Sequence, residues 1–245
     1  MKFWHKDNKK QSLKVKTLVT FCLFCKLTGK IKTVSMTLKE KYIKVIAYFQ
    51  ENNPEADTEL EYKNPFELLT AVILSAQCTD KRVNMIMPPL MTKFPDAVSM
   101  ANAEIAEIYD MIKSCSYPNN KAKHLSGMSK MLVSEFNGMV PSDPDLLQQL
   151  PGVGRKTANV VASVIYKKPV MAVDTHVFRV ANRLGLTNAK NPLESERQLT
   201  KYIPENLIHK AHHWLILHGR YVCKAQKPAC KLCGLCKFCN FYEHI

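Results

Sequence analysis

Residues 150–158 read Leu-Pro-Gly-Val-Gly-Arg-Lys-Thr-Ala, and this stretch decides the fold. Apolar residues at helical spacing lie on both sides of it, so the sequence predicts two helices joined by a tight turn. Gly152 and Gly154 are expected to supply positive φ angles and a close approach of the backbone. The second helix should begin near Arg155, where its unpaired N–H groups would bind an anion such as a backbone phosphate. A structural corner without any ligand is the alternative.

Lys156 lies in the first turn of this second helix. The helix dipole disfavours an ammonium group there, so we expect the side chain to lose its proton more readily, especially if it is partly buried. A deprotonated lysine is a nucleophile suited to Schiff-base chemistry. The alternative is that Lys156 is one more phosphate contact, like its neighbour Arg155.

A single carboxylate, Asp174, stands between an apolar run and the next predicted helix. Aspartate is a favoured N-cap residue, and that structural role is sufficient to explain it. Its second possible role is that of an acid, a base or an electrostatic group facing Lys156 across a cleft. The two roles are compatible, since an N-cap carboxylate is held rigidly. The spacing alone does not establish that the two residues meet.

The C-terminal region contains a dense cysteine cluster, whose members are Cys223, Cys230, Cys233, Cys236 and Cys239. The chain has nine cysteines in all, an odd number that does not suit a disulfide scaffold. Thiolates at this density bind Zn²⁺ or an iron–sulfur cluster. The string lacks the two separated Cys-x2-Cys pairs that are common in zinc sites, which favours the iron–sulfur cluster. Five candidates for four ligand positions leave one thiol over.

From residue 36 onward the apolar spacing is helical nearly throughout, with no convincing strand and no repeat. The fold class is therefore predicted to be all-α. Asn64 and Pro65 should open a central helix that is apolar almost all round. Turn signals, among them Pro88-Pro89, separate the helices. The other candidate helices cover residues 80–93, 104–113, 121–137, 143–150, 155–166, 174–184, 192–203 and 207–222.

The formal charge is +14, from 35 Lys and Arg against 21 Asp and Glu, which points to nucleic acid or an anionic membrane surface as partner. Residues 1–35 hold nine lysines and one acid, so +8 of this charge lies there and +6 lies in residues 36–245. We expect residues 1–35 to be a disordered tail or a gene-start artefact. No apolar run approaches about 18 residues, so we expect no segment that spans a bilayer. We expect an intracellular protein, cytoplasmic or nucleoid-associated, without a membrane partner.

Over about residues 36–241 the chain resembles the endonuclease III family, the bifunctional DNA glycosylases and AP lyases of the helix-hairpin-helix superfamily. The resemblance rests on four strings in unbroken order: Ser-Ala-Gln-Cys-Thr-Asp at 75–80, the hairpin at 150–161, residues 173–180, and residues 212–223. It implies removal of oxidised pyrimidines from double-stranded DNA, and cleavage at abasic sites, by a monomer. A non-catalytic DNA-binding protein whose cluster senses redox state is the alternative.

The resemblance also implies an architecture. Residues 58–168 would form a six-helix barrel that contains the hairpin, and residues 36–57 would join residues 169–245 in an iron–sulfur domain. DNA would lie in the groove between the two domains. Lys156 and Asp174 would then face each other at the mouth of that groove.

The same resemblance implies roles for individual residues. Lys156 would attack the sugar, and Asp174 would stabilise the positive charge that develops there. Gln77 would fill the gap left by the flipped base, Tyr117 stands where the family has a leucine wedge, and Lys224 and Lys227 lie in a phosphate-binding loop. The family's pattern assigns a [4Fe–4S] cluster to Cys223, Cys230, Cys233 and Cys239, which leaves Cys236 as the spare thiol.

Overall fold

The computed structural model describes residues 36–243, and the predicted N-terminal tail lies outside this part. All regular structure within it is helical, without a strand, which confirms the prediction of an all-α fold. Two short 3₁₀ turns, Cys230–Leu232 and Cys236–Phe238, accompany the α-helices. The α-helices are α1 (Leu38–Asn52), α2 (Pro65–Ser75), α3 (Asp80–Lys93), α4 (Ala97–Ala101), α5 (Ile105–Ile112), α6 (Pro118–Phe136), α7 (Pro144–Leu147), α8 (Arg155–Tyr166), α9 (Thr175–Leu184), α10 (Pro192–Tyr202), α11 (Glu205–Tyr221) and α12 (Asn240–Glu243).

Several helices differ from the sequence-based expectation, among them α12, which was not predicted, and α6, which begins at Pro118 instead of residue 121. The short helix α4 was not predicted, although Asp96 and Ser99 form a capping box at its start. Helix α3 has the predicted range of residues 80–93, and the turn indicated at Pro88-Pro89 is wrong because the helix continues through both prolines. Each proline costs a helix about 3 kcal/mol or more. Burial of a large apolar side chain stabilises the fold by about 1.5–3 kcal/mol, so burial along one face of α3 offsets the cost of the prolines. Four side chains on this face are buried: Val83, Ile86, Met87 and Leu90.

The described chain divides into two compact units. We call residues 57–173 with 204–213 the hairpin unit, and residues 36–56 with 174–203 and 214–243 the cysteine unit. Helix α11 contributes its first half to the hairpin unit and its second half to the cysteine unit. The domain limits implied by the resemblance remain a prediction. No helix in the described part of the chain is long and apolar enough to cross a membrane.

The core of the hairpin unit is built around α2. Eight of its eleven residues are buried, as its nearly continuous apolar sequence predicted. The helix begins at the expected place, because the side chain of Asn64 accepts a hydrogen bond of 2.9 Å from the Glu67 N–H. The cap fixes where α2 begins, and the buried helix leads to the loop that bears Gln77.

The core of the cysteine unit joins α1 to the second half of α11 through aromatic side chains. The ring of Phe49 stacks on Trp214, with centroids 5.8 Å apart, and meets His218 edge-on at 5.6 Å. The indole Nε1 of Trp214 donates a hydrogen bond of 2.8 Å to the carbonyl of Asn53. Because His218 also lies beside the cysteine cluster, this packing connects the cluster to the core.

The C-terminal end of α2 is held by a buried lysine that the sequence analysis did not single out. Lys121, on α6, is only 5% exposed. Its Nζ donates to the carbonyl oxygens of Leu74 and Ala76, both at 2.8 Å. These carbonyls belong to the last turn of α2, where helical partners are lacking. Lys121 therefore caps α2 and positions the loop that follows it.

Replacing Lys121 should destabilise the protein. Lys121→Met keeps the apolar stem but removes both charged hydrogen bonds, so the free energy of unfolding should fall by about 2–4 kcal/mol in urea denaturation. Lys123→Met, at an exposed position of the same helix, is the matched control and should stay within about 0.5 kcal/mol of the unchanged protein. Equal stability of the two variants would contradict this role of Lys121.

Candidate functional site

The Gly-x-Gly turn joins α7 to α8, and its two glycines have different structural roles. Gly152 has φ +80°, as expected, and a Cβ added to it would lie 2.7 Å from the Cβ of His124. The prediction of a positive φ at Gly154 is wrong, because this residue has φ −87° and ψ 174°. Gly154 is the N-cap of α8 in an extended conformation open to any residue, and a Cβ there would meet nothing within 4 Å.

Lys156 is the second residue of α8, and its side chain is exposed. The first helical hydrogen bond of α8 runs from the Ala158 N–H to the Gly154 carbonyl at 3.0 Å. The N–H groups that precede Ala158 therefore lie outside the helical ladder, at the positive end of the helix dipole. The arrangement brings an exposed amine and an anion-binding helix end to the same place.

Helix α8 also anchors the segment that leads to Asp174. Asn159, buried on α8, donates its Nδ2 to the carbonyl of Met171 at 3.1 Å. Met171, Ala172 and Val173 are buried too. The extended segment of residues 171–173 is thereby fixed to α8, the helix that carries Lys156.

Asp174 has the N-cap role expected from the sequence. Its Oδ1 accepts a hydrogen bond of 2.8 Å from the Val177 N–H at the start of α9. Within the described residues no hydrogen bond reaches its other oxygen, Oδ2. Asp174 opens the second segment of the cysteine unit, whereas Lys156 belongs to the hairpin unit. The Asp174 carboxylate is thus held within the cysteine unit, and the backbone of Lys156 is held in α8 of the hairpin unit.

Gln77 and Tyr117 lie in two loops that the hairpin unit brings together. Both residues are exposed and both adopt the left-handed conformation, with φ 54° and 55°. Non-glycine residues adopt this region at an energetic cost, so neighbouring contacts must hold them. Ser116 donates its hydroxyl to the Gln77 carbonyl at 2.6 Å, and Lys121 holds the carbonyl of Ala76. Neither supporting residue could be identified from the sequence, because neither contact is local.

The five clustered cysteines surround one cavity of the cysteine unit. Its volume is about 330 Å³, including the part open to solvent. The lining contains no carboxylate: apart from the thiols it consists of His218 and apolar or aromatic side chains. In the described residues, no three Cys, His, Asp or Glu side chains converge tightly enough to hold a single metal ion. The cavity therefore offers five thiols and no carboxylate ligand.

Burial controls protonation in this cavity. It raises the pKa of Cys233 to about 12 and also raises the pKa values of Cys230 and Cys239. It lowers the pKa of His218, whose Nε2 lies 3.6 Å from the Cys233 Sγ, to about 4. Thiols in such surroundings become thiolates when a metal centre supplies the positive charge.

Two arginines of α9 fix the loop between Cys223 and Cys230. Arg183 donates to the carbonyl of Lys224 at 2.8 Å and lies 3.5 Å from the Cys223 Sγ. Arg179 donates to the carbonyl of Cys223 at 3.1 Å. The loop is closed by a hydrogen bond of 2.9 Å from the Ala229 N–H to the Val222 carbonyl, and its Lys224 and Lys227 side chains are exposed. A single helix thus carries Asp174 at its start and supports the basic loop along its length.

Comparison with known proteins assigns the family. Residues 70–205 match the model of the HhH-GPD superfamily base excision DNA repair proteins. The chain is 47% identical over 204 residues to endonuclease III of Rickettsia conorii, covering 82% of this chain and 96% of that one. It is 41% identical over 207 residues to endonuclease III of Escherichia coli K12, covering 84% and 98%.

A solved structure gives the same result. A trapped covalent intermediate of endonuclease III with DNA superposes with a TM-score of 0.81 at 42% identity, covering 85% of this chain and 99% of that chain. The matching region includes the hairpin, Asp174 and all helices from α3 to α10 within the family model. The chain belongs to the endonuclease III family of the HhH-GPD superfamily of base excision DNA repair proteins.

Proposed function

We propose that this protein is a DNA N-glycosylase that removes oxidised pyrimidines from double-stranded DNA and then cleaves the strand as an AP lyase. The observation that carries the proposal is the exposed Lys156 at the N-terminal end of α8, directly after the glycine turn. A relative in this family has been trapped in a covalent intermediate with DNA, which supports a nucleophilic side chain. The amine and the phosphate-binding N–H groups would act on the same nucleotide.

DNA binding would use groups from both units. The N–H groups at the start of α8, with Gly152, Gly154 and Arg155, would bind a backbone phosphate. Lys224 and Lys227, exposed on the loop that the arginines of α9 support, would add electrostatic attraction. Base removal requires the damaged nucleotide to leave the stack. Gln77 would occupy the space left by the base, and Tyr117, which is 62% exposed, would wedge between neighbouring bases.

The chemistry begins at C1′ of the flipped nucleotide. The lone pair of the unprotonated Lys156 Nζ attacks C1′ as the glycosidic bond breaks, and the base leaves with the bonding electrons and takes up a proton. Opening of the C1′–O4′ bond converts the adduct to a protonated imine. Loss of a C2′ proton then lets the C3′–O3′ bond break, so the 3′ phosphate departs by β-elimination. Water releases the sugar remnant from Lys156.

Asp174 would stabilise positive charge at the sugar and assist proton transfer. Its Oδ1 is engaged by the Val177 N–H, and this hydrogen bond fixes the direction of the carboxylate. The free Oδ2 would then face the sugar. A carboxylate held by its own helix needs no reorganisation when charge develops, which is the condition under which electrostatic stabilisation is most effective.

The proposal includes a [4Fe–4S] cluster held by Cys223, Cys230, Cys233 and Cys239. A thiol-lined cavity without carboxylates suits iron–sulfur ligation, and the guanidinium of Arg183 beside Cys223 suits a cluster of net negative charge. When bound, the cluster would supply structural cross-linking of the loop that carries Lys224 and Lys227. Cys236 lines the same cavity and would be the thiol that is not a ligand.

Lys156→Arg tests whether Lys156 acts as a nucleophile or only as a phosphate contact. Arginine keeps the positive charge but stays protonated, so the variant should bind a duplex with one thymine glycol nearly as well as the unchanged protein. Borohydride, which reduces the imine to a stable amine, should trap the unchanged protein on this DNA and fail to trap the variant. Absence of an adduct with the folded, unchanged protein would contradict the proposal and favour a non-catalytic DNA-binding protein.

Asp174→Asn tests whether Asp174 has a catalytic role in addition to capping α9. Asparagine caps a helix as well as aspartate, so the free energy of unfolding should change by no more than about 0.5 kcal/mol. Loss of the negative charge should lower single-turnover base excision by roughly 10²-fold or more, with DNA affinity retained. Unchanged excision in this variant would reduce Asp174 to a structural cap.

The ligand assignment is tested by paired cysteine variants. The purified protein should contain four iron and four sulfide per chain, and Cys239→Ser should lose most of this iron because a ligand is removed. Cys236→Ser is the matched control from the same cavity and should keep its iron and its visible absorption. Iron loss in Cys236→Ser equal to that in Cys239→Ser would overturn the assignment, and stoichiometric zinc in the unchanged protein would overturn the cluster.

A further inference from the structure

Two cysteines outside the C-terminal cluster lie side by side in the hairpin unit. The Sγ atoms of Cys78 and Cys115 are 3.9 Å apart, although 37 residues separate them in the chain. Cys78 is half-buried and directly follows Gln77, whereas Cys115 is buried and precedes Tyr117 by two residues. The thiol pair therefore links the two loops that carry the proposed DNA-probing side chains.

The backbone near both thiols is well anchored. The N–H of Cys78 donates to the Ser75 carbonyl at 3.0 Å, and the N–H of Cys115 donates to the Ile112 carbonyl at 2.8 Å. The Ser116 hydroxyl already ties the second loop to Gln77. A disulfide requires the sulfurs to approach to about 2.05 Å, so a further closure of about 2 Å is needed. We expect side-chain rotation together with a small displacement of the Cys78 loop to bring the sulfurs together.

We propose that Cys78 and Cys115 form a reversible disulfide when the protein meets a small-molecule disulfide, and that this bond reduces its action on duplex DNA. The cross-link itself is independent of the proposed glycosylase function, and only its effect on DNA rests on that function. Neither cysteine belongs to the cavity of the C-terminal cluster.

The reaction is two successive thiol–disulfide exchanges. The Cys78 thiolate attacks one sulfur of the small disulfide, whose S–S bond breaks and releases one small thiolate. The Cys115 thiolate then attacks the Cys78 Sγ, and the mixed S–S bond breaks to release the second small thiolate. The two protein thiols lose two electrons and two protons, and the small disulfide gains them as two thiols. Excess dithiol reverses both steps.

The surroundings set the order of these steps. Cys78 is the more accessible thiol and would react first with an external molecule. Burial and the neighbouring Cys78 raise the pKa of Cys115 to about 11, while the charges of Lys121 and Arg82 act in the opposite direction. Cys115 is therefore shielded from direct attack and is positioned to resolve the mixed disulfide on Cys78.

The effect of the disulfide on activity depends on which loop moves when it forms. Cys115 is buried in the core of the hairpin unit, so closure should displace the more exposed Cys78 and with it the adjacent Gln77. Gln77 already has a left-handed backbone that depends on its neighbours. Because small misplacements of interacting groups lower rates steeply, we expect on the order of a ten-fold loss of activity on duplex DNA.

The test uses the full-length, iron-containing protein equilibrated with glutathione disulfide, then alkylated and digested with trypsin. Cys78 falls in the peptide of residues 64–81 and Cys115 in that of residues 114–121, and each peptide contains one cysteine. The linked pair should appear after oxidation and disappear after dithiothreitol. Excision of thymine glycol from duplex DNA should fall about ten-fold and recover with the same reductant.

Cys115→Ala and Cys78→Ala are the matched variants. Each should form no linked peptide, keep the excision rate of the reduced protein and lose the response to oxidation, with iron content measured in parallel. Absence of the linked peptide in the unchanged protein would overturn the proposal, and a linked peptide with unchanged excision would overturn its effect on DNA. If the peptide forms but the reduced protein excises no base, the disulfide stands and the glycosylase proposal fails.

Discussion

The left-handed turn at Gly152 is the constraint on which the rest of the hairpin depends. The backbone there packs so closely on the His124 side chain that a Cβ would overlap it, and φ of +80° excludes most other residues. This contact sets the direction in which the chain enters α8. It thereby fixes the open helix end at Gly154 and the exposed Lys156, two residues beyond it. The position of the proposed nucleophile is thus determined by a contact in which it takes no part.

The other groups of the proposed site are also held by neighbours that have no chemical role. Lys121 caps α2 and supports the loop of Gln77. Arg179 and Arg183 fix the basic loop from α9, whose first residue is positioned by the Asp174 cap. Reactive groups on such supports keep their geometry while they remain exposed, which is what preorganised catalysis requires. The thiol pair would add a covalent means of altering one of these supports.

The features that could be predicted from the sequence are those with local causes. The start of α2 at Asn64, the Asp174 cap and the Gly152 turn each follow from signals within a few residues. The apolar spacing predicted the range of α3, but the local proline signal wrongly indicated a turn inside it, because burial of one face of the helix outweighs the cost of the prolines. Some contacts join residues 37 or more positions apart and can be recognised only in the folded structure. These are the contacts of Lys121 and the Cys78–Cys115 pair.

The proposed chemistry requires the Lys156 Nζ to form the bond to the sugar, and that bond can be mapped. The unchanged protein is reduced with borohydride on a duplex with one thymine glycol, the DNA is digested to the sugar remnant, and the modified lysine is located by tandem mass spectrometry. The account predicts the remnant on Lys156 alone. A remnant on the N-terminal amine, or on any other of the chain's lysines, would contradict it.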